Sequence, residues 1–189
     1  MDRLARVVSV ALHPMAGLTA WAVALVILHR DWIGPDAALW AMLVLVPGGL
    51  LVIGVRRGIW SDLDMTDLRE RRTALPFAAL LSVALAVWSV VGAFPSLLRF
   101  AAVAIAIWLA ITAAVSLVWK ISMHEGAAAG LVLIVALGLG LGIAAMLAWA
   151  PFAVAWARVR LHKHTPMQVA AGAAAAVVSV ALARLWFAP

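Results

Sequence analysis

Two polar stretches interrupt an otherwise apolar chain, and their residue types suit work on a phosphate. The first is "KISMHEGAAAG", Lys120 to Gly130, where a cation, a hydroxyl and an imidazole precede a long apolar run. The second is "ARVRLHKHTPMQ", Ala157 to Gln168, with Arg158, Arg160, His162, Lys163, His164 and Gln168. Ionisable groups at membrane depth are costly and are functional by default. Arginine binds phosphate oxygens bidentately. A helix opening at Ser122 to Glu125 would add backbone N–H donors and a favourable dipole. One histidine can attack phosphorus while another protonates the leaving oxygen.

A third stretch, "SDLDMTDLRERR" from Ser61 to Arg72, has two readings. In one, Ser61 and Asp64 open an interfacial helix in a capping-box-like way, and Asp67 pairs with Arg71 one turn later. In the other, Asp62, Asp64 and Asp67 are oxygen ligands for Mg²⁺ held through a substrate phosphate, as in the aspartate-rich loops of membrane prenyltransferases. A second aspartate cluster is lacking, which ranks the metal reading lower. The leading expectation therefore has no metal and no cofactor.

Taken in chain order, the three stretches resemble the motifs of the type-2 phosphatidic acid phosphatase superfamily, K-x6-R-P, P-S-G-H and S-R-x5-H-x3-D. "ISMH" at 121–124 keeps Ser122 and His124; Arg158, His164 and Gln168 keep the third spacing; "RERRT", Arg69 to Thr73, is a degenerate first motif. The resemblance covers about residues 56–172. It implies that His164 is a nucleophile forming a phosphohistidine and that His124 is the general acid. Arg158, Arg72 and Ser122 would hold phosphate oxygens, with Arg69 beside Arg72, and Lys120 would replace the first-motif lysine, whose place Met65 takes. Ala157 stands for the motif serine, Met123 for the glycine, and Gln168 for the aspartate that orients the nucleophile. The implied reaction is hydrolysis of a phosphomonoester or diphosphate on a polyprenyl or glycerolipid chain. The rival readings are a weakened relative that binds or flips anionic lipids, and the prenyltransferase.

The elements that must position these residues are membrane helices. Of 189 residues 67% are hydrophobic, mean hydropathy is +1.13, and globular chains run nearer 45–50% apolar. The spacing predicts an all-α polytopic transmembrane bundle of one domain, 1–189, with six or seven spans: about 8–28, 37–55, 75–94, 97–119, 123–138, 142–157 and 166–187. The N-terminal run continues apolar without a cleavage site, so it reads as a span. Residues 126–157 carry no charge. As one rod they would reach about 48 Å at 1.5 Å per residue, against a hydrocarbon core of about 30 Å. "GLGLG" at 138–142 offers the break. The split puts segments 56–73, 120–125 and 158–168 on one membrane face.

The remaining features read as structural. Trp32, Trp60, Trp119, Trp156 and Trp186 suit interfacial belts. His13 reads as a helix–helix hydrogen bond, His29 and His162 as interfacial residues, and the Gly/Ala-rich stretches as close helix packing. With no cysteine, disulfides are excluded. The net charge of +6 does not point to nucleic acid, because the cations cluster at span ends. Eleven of the 14 Lys and Arg fall on the motif side. The positive-inside rule then expects that side in the cytoplasm, in a bacterial or archaeal plasma membrane.

Overall fold

The computed structural model describes residues 1–28 and 33–187; His29, Arg30 and Trp32 lie outside the described residues. Every regular element among the described residues is helical. The order is α1 (Asp2–Ala11), α2 (Pro14–Leu28), α3 (Ile33–Trp40), a π-helical turn (Ala41–Leu45), α4 (Val46–Arg56), α5 (Leu68–Val91), α6 (Ser96–Ser116), α7 (Met123–Gly138), α8 (Leu141–Leu147), α9 (Trp149–Arg160) and α10 (Pro166–Trp186). Among the described residues five segments, against the six or seven spans expected, are long and apolar enough to cross a membrane: Ile33–Arg56, Leu68–Val91, Ser96–Ser116, Leu141–Arg160 and Pro166–Trp186. Met123–Gly138 is a shorter apolar helix.

The expected first span, 8–28, is two helices. Pro14 cannot donate a backbone hydrogen bond, and the chain breaks at Leu12–His13 before α2 begins. The separated α1 buries Ala5 and Ser9 and packs along α9, while Leu4, Val7 and Val10 remain exposed beside Arg3 and Arg6. That pattern suits a helix lying along a membrane surface.

The break between α7 and α8 falls at Leu139–Gly140, where Gly140 takes φ +100°. Positive φ costs glycine little, so the chain reverses there, and α8 and α9 return along α7. The centre of the bundle is α6, flanked by α5 and α10, with α7 against α10. Leu85, Leu97, Leu98, Phe100, Ile134, Val135 and Val180 form its core.

Three helices end in the same left-handed turn. At the end of α9, Leu161 is the C-cap and His162 has φ +54°. The Lys163 N–H donates to the Arg158 carbonyl and the His162 N–H to that of Val159, the pairing of a Schellman motif. Gly58 after α4 and Ala93 after α5 sit in equivalent turns.

Candidate functional site

The Schellman turn explains the Arg158-x5-His164 spacing physically. It folds the chain back over the last turn of α9, so that the His164 N–H also meets the Arg158 carbonyl, at 3.3 Å. Arg158 and His164 are both buried.

Thr165 then caps α10. Its hydroxyl accepts from the Gln168 N–H, and the Gln168 side-chain oxygen accepts from the Thr165 N–H at 3.2 Å. The backbone N–H is only a donor, so the amide face turned toward it is the carbonyl. The same Oε1 lies 3.2 Å from His164 Nδ1. Nδ1 therefore carries the ring proton, and Nε2 keeps its lone pair. Nε2 is buried and has no partner among the described residues. Burial, then the charges of Lys120, Arg71 and Arg158, push His164 down to about 3 from the ordinary 6.5. The ring is neutral at physiological pH.

Across from it, Ser122 is the N-cap of α7 and its hydroxyl accepts from the Glu125 N–H. The Ser122 N–H donates to the Gln168 carbonyl, which ties the start of α7 to the start of α10. Gly172 makes this approach possible, since a Cβ there would drive into the Ser122 carbonyl oxygen. Lys120 Nζ donates to the Lys163 carbonyl at 3.0 Å. Burial, helped by Arg71, Arg158 and Lys163, holds its ammonium below the ordinary lysine value.

Segment 57–67 closes the cluster from the side. It is a loop, and the helix starts at Leu68 with Asp67 as N-cap, its carboxylate accepting from the Arg69 N–H. The helix start expected at Ser61 and Asp64 is thus displaced, and Ser61 instead bonds the Glu70 carboxylate. Asp67 meets Arg71 only through a backbone bond. With the cap at Asp67, the face of α5 turned inward carries Arg71, Leu75, Ala79, Ser82 and Ser89. Arg69 and Arg72 are exposed. The arginine brought into the cluster is Arg71, in place of the expected Arg72 and Arg69. It donates to the carbonyls of Met65, Ile121 and Asp64, so it braces loop 57–67 against the start of α7.

The three aspartates go to separate places. Asp62 lies 3.8 Å from Lys163 and accepts from the Thr66 N–H. Asp67 caps α5. Asp64 accepts from Arg158 Nη1 at 2.8 Å and faces His124 Nε2 at 3.6 Å. Burial pushes the Asp64 carboxyl up, but Arg158, with His124 and Lys163, outweighs it and leaves the group below its ordinary 3.8. The three do not converge on one ligand position, as the Mg²⁺ reading requires.

A different group, His13, Asp64 and His124, has ligand atoms within 4.8 Å of one another. It suits a cation poorly. Arg158 already holds the carboxylate, and the Met15 N–H donates to His13 Nδ1 at 3.2 Å, which leaves Nε2 as the protonated nitrogen.

Four contributors escaped sequence reasoning. Ser9 accepts from Arg158 Nη1 at 2.8 Å. His13 stacks edge-on to His124, with ring centroids 4.9 Å apart. Arg71 braces the loop. Glu125 is buried, with Oε2 unpartnered among the described residues. Arg71 alone had a legible signal, since it sits one turn before the periodic stripe Leu75, Ala79, Ser82.

Beneath the polar cluster a cavity of about 240 Å³ runs between α2, α6, α7 and α10, with a nearly continuous apolar lining. His13, Gly17, Trp108, Gly126, Leu131 and Ile134 are on its wall. Comparisons with protein-family models, with curated proteins and with solved structures return no match.

Proposed function

We propose that this chain is an integral-membrane lipid-phosphate phosphohydrolase related to the type-2 phosphatidic acid phosphatases. One observation carries the reading: His164 has its Nδ1 proton held by an amide that the Thr165 N–H orients, and its unprotonated Nε2 is buried without a partner among the described residues. Such a nitrogen is a poised nucleophile. In the reaction it forms the N–P bond while the P–O bond to the lipid breaks, the electron pair leaving with the oxygen. That oxygen takes a proton through His124, whose neutral ring would first have to draw that proton from solvent as the anionic substrate binds. Water then attacks phosphorus and returns the electron pair to His164, and the water proton goes to His124. Arg158, Lys120 and the free hydroxyl proton of Ser122 face the phosphate oxygens; substrate displaces Asp64 from Arg158. The cavity takes the apolar chain.

The motif end of the bundle faces the cytoplasm in this proposal, because eleven of 14 cations gather there. A cysteine at exposed Arg57 or Arg72 should resist an impermeant thiol reagent in intact cells; ready labelling of both reverses the orientation.

The deciding experiment is phosphate release by the detergent-solubilised chain from a panel of lipid monophosphates and diphosphates. Release that His164→Ala abolishes supports the proposal. Tight binding without release points to the lipid-binding relative, and dependence on a prenyl acceptor to a transferase.

A further inference from the structure

We infer that His13 is a third imidazole of the site, a neutral hydrogen-bond donor aimed at the oxygen that joins the phosphate to its apolar chain. The inference rests on the phosphohydrolase reading and adds a residue that neither the motifs nor the expected mechanism include.

Position is the first ground. A lipid phosphate has one atom at which its polar and apolar parts meet, the bridging oxygen. The corresponding boundary in the protein is between the polar cluster and the cavity. His13 stands on both sides of it. Its ring packs edge-on against His124 and comes within 4.8 Å of the Asp64 and His124 ligand atoms. The same residue is on the cavity wall, whereas Arg158, His124 and His164 are not. A chain lying in the cavity with its phosphate among those three passes His13 at the bridge.

The second ground is the tautomer. His13 occupies the break between α1 and α2, where the first amides of α2 have no intrahelical acceptor. Its ring Nδ1 supplies one by accepting the Met15 N–H. With Nδ1 engaged as acceptor, the neutral ring carries its proton on Nε2. The charged form would set a second N–H against that of Met15 and is disfavoured. Burial pushes in the same direction, Asp64 opposes it and Arg158 adds to it by less, and His13 stays below the ordinary histidine value. With Nδ1 already holding the Met15 N–H, the ring has no free nitrogen for a second proton, so it gives a hydrogen bond through Nε2 rather than a proton. It is a fixed dipole that stabilises negative charge growing on the bridging oxygen, in the manner of an oxyanion donor. His124 transfers the proton; His13 lowers the charge that must be neutralised.

Leaving-group dependence tests this. A long-chain alkyl phosphate leaves as a poor, strongly charged alkoxide, whereas p-nitrophenyl phosphate leaves as a stabilised phenolate. His13→Phe keeps bulk and removes the donor; His13→Gln restores an N–H. His13→Phe should lower kcat on the alkyl phosphate by about 100-fold, the effect of losing one oxyanion donor, and change the p-nitrophenyl rate by less than about threefold. His13→Gln should recover about tenfold of the alkyl rate. Equal losses on the two substrates would show a structural role only and overturn the inference, as would an unchanged alkyl rate. Because both substrates are read on one preparation, partial misfolding lowers both and counts against it. Wild-type turnover that His164→Ala abolishes and His13→Phe spares removes this inference alone; no wild-type turnover of either substrate removes the phosphohydrolase reading with it.

Discussion

Gln168→Ala removes the one acceptor that selects the tautomer of His164. In the folded chain Gln168 Oε1 takes two donors, the Thr165 N–H and His164 Nδ1, each at 3.2 Å. The Thr165 bond is what stops the amide from turning its NH₂ toward the ring. Without the side chain, His164 is free to carry its proton on Nε2, the atom that must attack. A neutral hydrogen bond is worth about 1 kcal/mol, and each 1.36 kcal/mol is tenfold in rate. The expected loss in kcat is therefore about five- to tenfold. Loss of the capping box adds about 1 kcal/mol of destabilisation. Gln168→Asp places a charged acceptor near Nδ1 and should keep or raise the rate. It should also raise the His164 pKa from about 3, which moves the acid limb of kcat/KM to higher pH. The assay is initial phosphate release in micelles across pH 4 to 8 for both variants, with thermal unfolding as the control for folding. An unchanged Gln168→Ala rate in well-folded protein would refute the argument, because His164 would then be oriented by something else.

Gly172→Ala should destabilise the bundle by about 1–3 kcal/mol, the usual cost of overpacking, because the new methyl meets the Ser122 carbonyl rather than a flexible side chain; thermal unfolding reads this. His162→Gly should stabilise by about 0.5–1 kcal/mol and leave turnover unchanged, since it only relieves the left-handed turn. Acid should weaken the fold below about pH 6.5. His164 titrates near 3 when folded and at 6.5 when free, so the unfolded chain binds more protons in that window and stability falls as pH drops through it. His164→Gln should flatten the dependence seen in melts between pH 7 and 4, and an identical slope would refute the cause. EDTA should leave phosphate release intact; loss restored by Mg²⁺, with sensitivity to Asp62→Ala, would instead make the aspartates metal ligands.

The apolar runs marked an all-helical membrane chain, because a span needs only length and hydropathy to be recognised. The expected 97–119, 123–138 and 166–187 lie close to α6, α7 and α10, whereas 75–94 begins seven residues inside α5 and five segments, not six or seven, are long enough to span. The expected limits of 123–138 coincide with α7, since Ser122 and Glu125 mark its start and the glycines its end. What failed was phase and breakage. Residues 8–28 read as one apolar stretch, yet Pro14 with His13 splits them and frees α1 to lay Ser9 on Arg158. The first-motif reading placed Arg72 inward by analogy of spacing. Which arginine turns inward follows from the helical period: Arg71 shares the buried face with Leu75, Ala79 and Ser82, and Arg72 is one residue out of phase with it.

The contacts that complete the site come from segments far apart in sequence. Ser9 and Arg158 are separated by 149 residues, and Asp64 and Arg158 by 94. Periodicity carries no information about such pairs. The Arg158–Gln168 stretch is different, because its geometry is local: a helix end, a left-handed turn and a capping box, all written in eleven consecutive residues. It was the resemblance of this R-x5-H-x3-Q spacing to the third motif that pointed to His164, and the stretch holds that spacing by local hydrogen bonds. The partner of His124 was not legible, because it arrives on a loop whose position depends on Arg71 bridging to Ile121. Removing that brace should therefore reach His124 through Asp64, while the Gln168–His164 pair stays in place.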